Sequence, residues 1–439
     1  MSFWLAALLG LSSLGALAAP EPSAPALSLR EAAQRALAHN PDLALQPFRR
    51  AAAQAGVDAA GLRPAPEAGV QVENLLGTGR RSGVDAAESS FTITQLLEPE
   101  GLPAQRLDAA RERFDGLGME ESIARLDVLA EVGRRFVHVA SDQKQLELTG
   151  LATELAAGTL REVQRRVQAA RSPVAELHRA RIALARAEVE QEHAEHELLT
   201  SRRKLAAMWG AREADFQRVR ADLFVLPAVA DYEALLGRIA ASPDFLRYAT
   251  EARQREAELR LAEAKARTPL TLSAGLRHLR EGDDVALVAG ISVPLFATRR
   301  AQPAIAEARA ARAQVDGERV AAQVKAEASL YELVQELRHG ITEAEMLRDR
   351  VLPEMELALK ATEYAWRRGR YGWLELSEAQ RERIAVQRAL IEAAANARLF
   401  EIEIERLTGV AVGSEPPRPP GEGGNRSPGD PERPAGFAS

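Results

Sequence analysis

The chain has 439 residues, a formal net charge of −6 and no cysteine. The lack of cysteine excludes disulfides, Cys-ligated zinc and lipidation of an N-terminal cysteine. An acidic chain also lacks the basic surface that binds phosphates, so no nucleic-acid partner is expected. Aromatic residues make up 5% of the chain. Ala, Glu, Arg and Leu dominate the rest, a balance typical of long helices that pack closely.

The start of the chain is typical of a secretory signal peptide. Residues 1–19 contain an apolar run that ends in an A-x-A pattern, with cleavage expected after Ala18 or Ala19. No Lys or Arg precedes the run, so an N-terminal membrane anchor is the alternative interpretation. No later stretch reaches the roughly 20 apolar residues of a spanning helix. We therefore expect an exported chain that crosses no membrane as a helix.

The chain contains an internal duplication. When Gly210 is aligned with Gly409, the preceding segments correspond without a gap, and Glu176 falls on Glu375. The period is about 200 residues, which is too long for a solenoid and indicates a duplicated domain plan. The predicted repeats cover residues 20–230 and residues 231–410.

Each repeat is predicted to contain a helix, a β-hairpin and a long helical hairpin, in that order. Alternating apolar and polar residues predict the strands, and long runs of helix formers predict the helices. Each outgoing helical stretch has about 67 residues, or roughly 100 Å of helix, and Pro353 is expected to kink the second. The β-hairpins cover residues 66–98 and 268–296, the helical hairpins cover residues 103–210 and 303–409, and a disordered tail covers residues 411–439.

Four strands cannot close a barrel by themselves, since about eight strands are the practical minimum. Open strand edges are not stable in lipid, because every backbone donor and acceptor must be paired there. Strands of about ten residues are nevertheless long enough to cross a bilayer at a tilt. If the strands lie in a membrane, protomers must pool them. A trimer would give a twelve-stranded pore, and a dimer would give eight strands around a filled interior.

Several segments resemble the TolC family of outer-membrane efflux channels. These are residues 27–41, 94–96, 291–295, 371–380 and 407–409. The resemblance implies a mainly α fold with a β-barrel section. In it, a duplicated long-helix α-barrel protomer contributes four strands to a trimeric twelve-stranded outer-membrane β-barrel. Residues 171–180 resemble, more weakly, the cobalt–zinc–cadmium (heavy-metal efflux) branch. Residues 97–103 depart from the family's usual turn, and aromatic girdles are almost absent.

The resemblance implies a homotrimer in the bacterial outer membrane that extends into the periplasm. The expected partners are outer-membrane lipid, a periplasmic adaptor (membrane fusion) protein and an inner-membrane pump of the RND type. The implied function is a passive exit duct of a tripartite efflux system for small solutes, and the branch favours heavy-metal cations. The alternative is a periplasmic adaptor or a structural coiled-coil protein of an export assembly.

Acidic residues just past the second helical tip are candidates for a periplasmic gate or selectivity ring. Glu375 and Glu378 lie one helical turn apart and match two acidic positions that the family places at the periplasmic constriction. Three copies would form carboxylate rings that favour cations. Glu176 is the equivalent position in the first repeat. The alternative is a solvated helix face beside Arg381 and Arg383.

The two helical tips are candidates for adaptor docking. Tyr and Trp at an exposed turn suggest an interface, because such residues often anchor protein contacts. The alternative is that Trp373 packs against the start of its own helix. The candidate docking residues are Arg171, Ser172, Pro173 and Val174 in the first repeat, and Arg370, Tyr371, Gly372, Trp373 and Leu374 in the second.

The sequence offers little support for a metal site or for catalysis. His193 and His196 have an i,i+3 spacing that can ligate a divalent ion. A solvated helix face is the favoured interpretation of this Glu-rich segment, so no metal and no cofactor are predicted. Walker A, H-E-x-x-H and nucleophile-elbow motifs are absent from the sequence. The chain is therefore not expected to be an enzyme, and the energy for transport must come from a partner.

Overall fold

A computed structural model of the chain describes residues 26–81 and 83–412. The predicted signal peptide, and residues 413–439 of the predicted tail, lie outside the described residues. Within them, a mainly α fold carries one four-stranded sheet, as predicted. The described helices include none with the length and apolar character needed to span a bilayer.

The two repeats contain equivalent elements in the same order, except that the counterpart of the long helix α3 is divided into α7 and α8. The helices of the first repeat are α1 (Leu29–His39), α2 (Gln46–Gly61), α3 (Leu102–Gln168) and α4 (Val174–Ala206). Those of the second are α5 (Tyr232–Ala241), α6 (Pro243–Lys265), α7 (Ala297–Met346), α8 (Leu352–Arg367) and α9 (Trp373–Leu407). The strands are β1 (Glu67–Glu73), β2 (Glu88–Leu97), β3 (Leu270–Leu279) and β4 (Asp284–Ser292).

The strands form an antiparallel sheet in the order β1-β2-β3-β4. The central β2–β3 pair joins the two repeats, and β1 and β4 are its edges. The register aligns Val70, Phe91, Leu276 and Leu287 in one row across all four strands. Because side chains alternate along a strand, this row fixes which residues share each face.

The outgoing helix of the second repeat is less regular than that of the first. It begins at Ala297, earlier than the start predicted at residue 303, so Pro303 lies inside α7. That proline removes one N–H from the helix near its beginning, and the flanking helix formers continue the turn. A π-helical segment, Leu347–Val351, then separates α7 from α8 just before Pro353. π-Bulges and prolines both bend helices, so the irregularity lies where a kink was predicted.

The two helical tips have the same backbone turn. Ala170 in the first tip and Gly369 in the second both have left-handed backbone, with φ of 54° and 73°. The Arg171 N–H donates to the Arg166 carbonyl at 2.8 Å, and the equivalent bond in the second tip is 2.9 Å. This pattern is a Schellman motif, which satisfies carbonyls at the end of a helix. The duplication is therefore preserved at the level of single hydrogen bonds.

The return helices of both repeats end in a glycine with positive φ. Gly210 has φ 73° and Gly409 has φ 75°. A Cβ on Gly409 would lie 3.0 Å from side-chain atoms of both Pro243 and Ser242. At Gly210 the nearest atom would be the His39 carbonyl oxygen, at 3.7 Å. Each glycine thus lets the end of its repeat pack against the segment between the repeat's first two helices.

An ion-pair cluster connects the two repeats where α3, α6 and α9 meet. The Arg406 guanidinium lies 2.6 Å from Asp127 on α3 and 2.5 Å from Asp244 on α6. Nearby, Arg134 on α3 lies 2.6 Å from Glu403 on α9. The Arg406 side chain is only 18% exposed, so solvent screens these pairs less than pairs at the surface.

The main hydrophobic core extends beyond the predicted end of the folded chain. Val412 is 5% exposed and belongs to this core, which also includes residues of α1, α3 and α9. A Cβ on Gly133 would lie 2.9 Å from Val412, which shows how closely Val412 packs on α3. The assignment of residues 411 and 412 to a disordered tail is therefore wrong.

Glu405 lines a cavity of about 570 Å³ between α9 and the segment that joins the repeats. Burial raises the pKa of Glu405 to about 7 from an ordinary 4.5, and the nearby charge of Glu401 raises it further. Arg398 acts in the opposite direction, and its guanidinium pairs with Glu401 at 2.8 Å. Glu405 is therefore a carboxyl group of which about half is protonated at neutral pH in the folded protein.

We predict that Gly409→Ala destabilises the fold more than Gly210→Ala. Left-handed backbone should cost each alanine about 1–2 kcal/mol in the free energy of unfolding. At Gly409 the overlap with Ser242 and Pro243 should raise the loss to about 2–4 kcal/mol. Chemical denaturation of the purified protein in detergent, followed by helical circular dichroism, measures both. Equal losses would contradict the close packing at Gly409.

We predict that Glu405→Gln removes part of the pH dependence of stability. Because the folded pKa lies above the unfolded value, wild-type stability should fall as the pH rises from about 4.5 through about 7. Glutamine mimics the protonated acid, so the variant should be more stable than wild type at pH 8 by about 1–2 kcal/mol, allowing for solvent screening. The two should be nearly equal at pH 5.

The control for this prediction is Glu213→Gln. Glu213 is an exposed carboxylate with no ion pair among the described residues. Its substitution should leave the pH profile of denaturation unchanged. If Glu405→Gln shows no gain at pH 8 over pH 5, the protonated state assigned to Glu405 is wrong.

Candidate functional site

One face of the sheet is apolar and exposed. Leu287 is 79% exposed and Val70 is 74% exposed, although both are large aliphatic side chains on regular strands. An apolar patch of this extent indicates contact with lipid or with protein. Its members are Val70, Val72, Phe91, Ile93, Leu272, Leu276, Val285, Leu287 and Ile291.

The opposite face carries small and polar side chains. One row across it contains Gly69, Thr92 and Gly275, and the next row contains Ser273 and Gly290. A Cβ on Gly275 would overlap the backbone of the neighbouring strand β2. Close approach of this kind suits the concave side of a curved sheet, where side chains converge. The polar face is therefore fitted to be an interior surface and the apolar face an exterior one.

A charged network lies on the polar face toward the β1–β2 loop. Arg277 donates to the Ser90 hydroxyl at 3.0 Å and to the Glu88 carboxylate at 3.1 Å. The same guanidinium lies 3.3 Å from Glu73, and the Asn74 amide donates to Glu88 at 2.9 Å. The network ties β1, β2 and β3 together. Strand alternation assigns Arg277 to the polar face, but its partners depend on the β2–β3 pairing, which alternation does not reveal.

The aromatic residues at the tip are divided between the core and the surface. Trp373 is 7% exposed and packs in a core cluster with Trp366, Leu376 and Ala379. This burial argues against the exposed docking contact predicted for Trp373 and favours the alternative, packing at the start of its own helix. Its indole N–H has no hydrogen-bond partner among the described residues. The periodicity of α9 carries the missed signal, because Trp373 precedes buried Leu376 by three residues.

The other candidate docking residues lie at the surface of the tips or close to it. Val174 is 57% exposed, Leu374 53% and Tyr371 50%. Ser172 is partly buried. The remaining members are exposed, namely Arg171, Pro173, Arg370 and Gly372.

An arginine–tryptophan contact holds the two tips together. The Arg166 guanidinium on α3 lies 4.0 Å from the centroid of the Trp366 ring on α8. It also donates to the Trp366 backbone carbonyl at 2.7 Å. A stacked guanidinium that also makes a hydrogen bond fixes both position and orientation. The two sets of tip residues therefore form one continuous surface.

Two of the three predicted gate carboxylates lie together. The Gly372 N–H donates to the Glu375 carboxylate at 3.0 Å, which caps the start of α9. A Cβ on Gly372 would lie 3.2 Å from Glu375 and 3.9 Å from Glu176, so both carboxylates lie around one turn. Glu378 is exposed and forms no ion pair within the described part of the chain. Glu375 thus has a structural role that its charge alone does not reveal.

The predicted histidine pair lies on an exposed face of α4. His196 lies 3.7 Å from Glu192 one turn earlier, and both side chains are 70% exposed. Across residues 26–81 and 83–412, no group of three or more His, Asp or Glu side chains could hold a metal ion. His193 and His196 therefore belong to no such group in the described part of the chain.

The comparison with known families concerns the first repeat. Residues 32–211 match the family described as outer membrane efflux protein. This match covers α1 to α4 with the first β-hairpin, which are the elements described above. The first repeat therefore carries an outer membrane efflux protein domain. The location of the protein is the outer membrane.

Similar proteins and similar solved structures cover most of the chain. It is 26% identical over 363 residues to the cobalt-zinc-cadmium resistance protein CzcC of Cupriavidus metallidurans, covering 82% of this chain and 85% of that protein. The CmeC outer membrane channel of Campylobacter jejuni has the same fold, with TM-score 0.65, 14% identity and 93% of each chain covered. VceC of Vibrio cholerae gives TM-score 0.63, 18% identity and coverage of 87% and 96%.

We predict that Trp373→Ala destabilises the tip and that Tyr371→Ala does not. Removing the buried indole should cost about 3–5 kcal/mol in the free energy of unfolding, because a cavity remains in the cluster. The exposed tyrosine should contribute within about 0.5 kcal/mol. Limited proteolysis and denaturation in detergent measure the difference. Similar losses for both variants would contradict the division between core and surface.

Proposed function

We propose that this efflux protein is the passive outer-membrane exit duct of a tripartite efflux system. In this proposal it acts as a homotrimer and exports small solutes, with heavy-metal cations as the favoured class. The observation that carries the proposal is the sheet, which has an exposed apolar face, a polar face and two edges without a partner strand among the described residues. The apolar face needs lipid or another protein, the polar face needs an aqueous interior, and the edges need partner strands. One protomer supplies none of these.

Three copies of the chain would pair the edge strands of every sheet. One protomer supplies four strands, and three would supply twelve. In a closed barrel each β1 edge pairs with the β4 edge of the next copy, so no backbone group is left unpaired in lipid. Outer-membrane lipid would contact the face that carries Leu287 and Val70. The face that carries Arg277 would line the lumen.

The helices give the duct its periplasmic part. α3 has 67 residues, which corresponds to about 100 Å at the helical rise. That length suits a tunnel extending from the outer membrane through the periplasm. The exposed side chains of Tyr371, Leu374 and Val174 at its end would contact a periplasmic adaptor, which in turn would connect to an inner-membrane pump of the RND type.

The substrate class rests on the name of one relative and on the tip carboxylates. CzcC is described as a cobalt, zinc and cadmium resistance protein. In the trimer, Glu176, Glu375 and Glu378 would repeat three times around the periplasmic end. Such rings attract cations and repel anions. Metal ions would then pass as cargo through the lumen, without a resident site in the wall.

The alternative, a periplasmic adaptor or structural coiled-coil protein, accounts for the helices but not for the sheet. A sheet in a periplasmic domain needs its apolar face covered by its own chain. Here Leu287, Val70 and Ile291 are each more than 70% exposed. The duct is therefore the better supported function.

We predict discrete, cation-selective conductance from the purified protein in planar lipid bilayers. The double variant Glu375→Gln, Glu378→Gln should conduct with clearly reduced cation selectivity. Glutamine keeps an oxygen that can accept the Gly372 N–H, so the cap of α9 survives while the charge is lost. Reversal potentials under a salt gradient measure the selectivity.

The matched control is Glu332→Gln, an exposed carboxylate on α7 without an ion pair in the part of the chain that the structure describes. It should behave as wild type. Conductance with unchanged selectivity in the double variant would keep the duct and reject the acidic gate. A protein that never inserts into bilayers would favour the adaptor alternative.

A further inference from the structure

A groove of about 440 Å³ runs along α3 near the helical tips. α3 packs against both α4 and α9, and the groove lies over α3 between these two neighbours. Its floor contains Ala152, Ala156 and Thr159 of α3. Small floor residues allow another helix to approach closely, since side chains at a contact set the distance between helix axes.

The groove has a defined shape because its floor and one wall are joined. The Gln380 amide on α9 donates to the Thr159 hydroxyl on α3 at 3.2 Å. Trp373 forms part of the same wall and is held by the tip core cluster. The groove is therefore a rigid feature of one protomer.

Three guanidinium groups line the groove without an ion pair. Arg179 and Arg186 extend from α4, and Arg381 extends from α9. None of them has a carboxylate within 4.0 Å among the described residues, although arginines elsewhere on this chain form many such pairs. The lining also includes Glu190, which lies 3.6 Å from Arg388. The groove therefore carries excess positive charge over a floor of small residues.

We propose that this groove receives an acidic helical segment of a partner protein. The proposal rests on the proposed docking function and identifies the chemistry of the docking partner. Arg179 and Arg186 are two helical turns apart, about 10.5 Å along α4. Carboxylates seven residues apart on a helix lying along the groove would match that spacing. Two or three such pairs would orient a helix whose small residues face Ala152 and Ala156.

A second copy of this chain is the less suitable occupant. The groove is framed by three helices of one protomer, whereas contacts between copies need the outer flanks of the helical layer. α4 has such a flank, with Val189 and Leu199 both more than 50% exposed and outside the groove. The floor of the groove, on α3, is the centre of the α4–α3–α9 layer and not its edge.

The test uses the full-length protein in detergent and a fluorescein-labelled helical peptide of about 20 residues. The peptide has glutamates at seven-residue spacing on one face and alanines beside them, and a second peptide has glutamines instead. Anisotropy at low salt should show binding of the acidic peptide only. The triple variant Arg179→Gln, Arg186→Gln, Arg381→Gln should bind at least about tenfold more weakly, as expected for loss of three exposed pairs.

The control is the double variant Arg181→Gln, Arg338→Gln. Both arginines are exposed, lie outside the groove and lack ion pairs in the described ranges. Binding of the acidic peptide to this variant should equal binding to wild type. Added salt should weaken the wild-type interaction, because exposed charge pairs are screened.

Three results would overturn the proposal. One is no binding of the acidic peptide to wild type, and another is equal binding to wild type and the triple variant. The third is loss of the oligomer in the triple variant, measured by size and mass in detergent, without peptide binding to wild type. That result would assign the groove to a contact between copies. Bilayer conductance of the same samples distinguishes the two proposals. Conductance without peptide binding rejects only the groove as a docking site. The absence of conductance rejects the proposed duct.

Discussion

The unpaired edges of the four-stranded sheet are the constraint on which the rest of the structure depends. A backbone N–H or C=O without a partner is tolerated in water but costs several kcal/mol in hydrocarbon. The strands of one chain expose Leu287 and Val70 to their surroundings while β1 and β4 remain edges. A lone protomer is thus unsuited to lipid because of its edges and to water because of its apolar face. In the proposed homotrimer, the neighbouring copies would supply the missing partner strands.

The two repeats have equivalent elements, but their side chains differ where the surroundings differ. The tip turns keep the same hydrogen bonds, yet one has Ala170 and the other Gly369 at the left-handed position. Glu176 and Glu375 occupy equivalent positions and converge on one turn, but only Glu375 caps a helix there. Equivalent sequence positions therefore share backbone geometry more faithfully than they share side-chain roles.

Local sequence patterns predict the helices and strands. Features that depend on residues far apart in the chain, such as strand pairing, are not predicted by them. Alternation located the strands, and runs of helix formers located the helices, because both depend on neighbouring residues. The pairing of β2 with β3 joins segments about 180 residues apart, and no local rule fixes it. Trp373 was misplaced for a similar reason, since its burial depends on α3 and α8 closing around it. The sequence predicts a helix start at Pro303, but α7 begins at Ala297 because helix formers also precede the proline.

The ion-pair cluster around Arg406 holds the C-terminal end of α9 in place. Its ion pairs to Asp127 and Asp244 secure one end of the helix to both repeats. Trp373, at the other end, lies about 50 Å away at roughly 1.5 Å per residue, so a rotation of about 5° about the clamp would displace the tip by about 4 Å. That displacement exceeds the diameter of a water molecule. In the proposed duct, a small angular change at this cluster would thus become a larger displacement at the far end of α9.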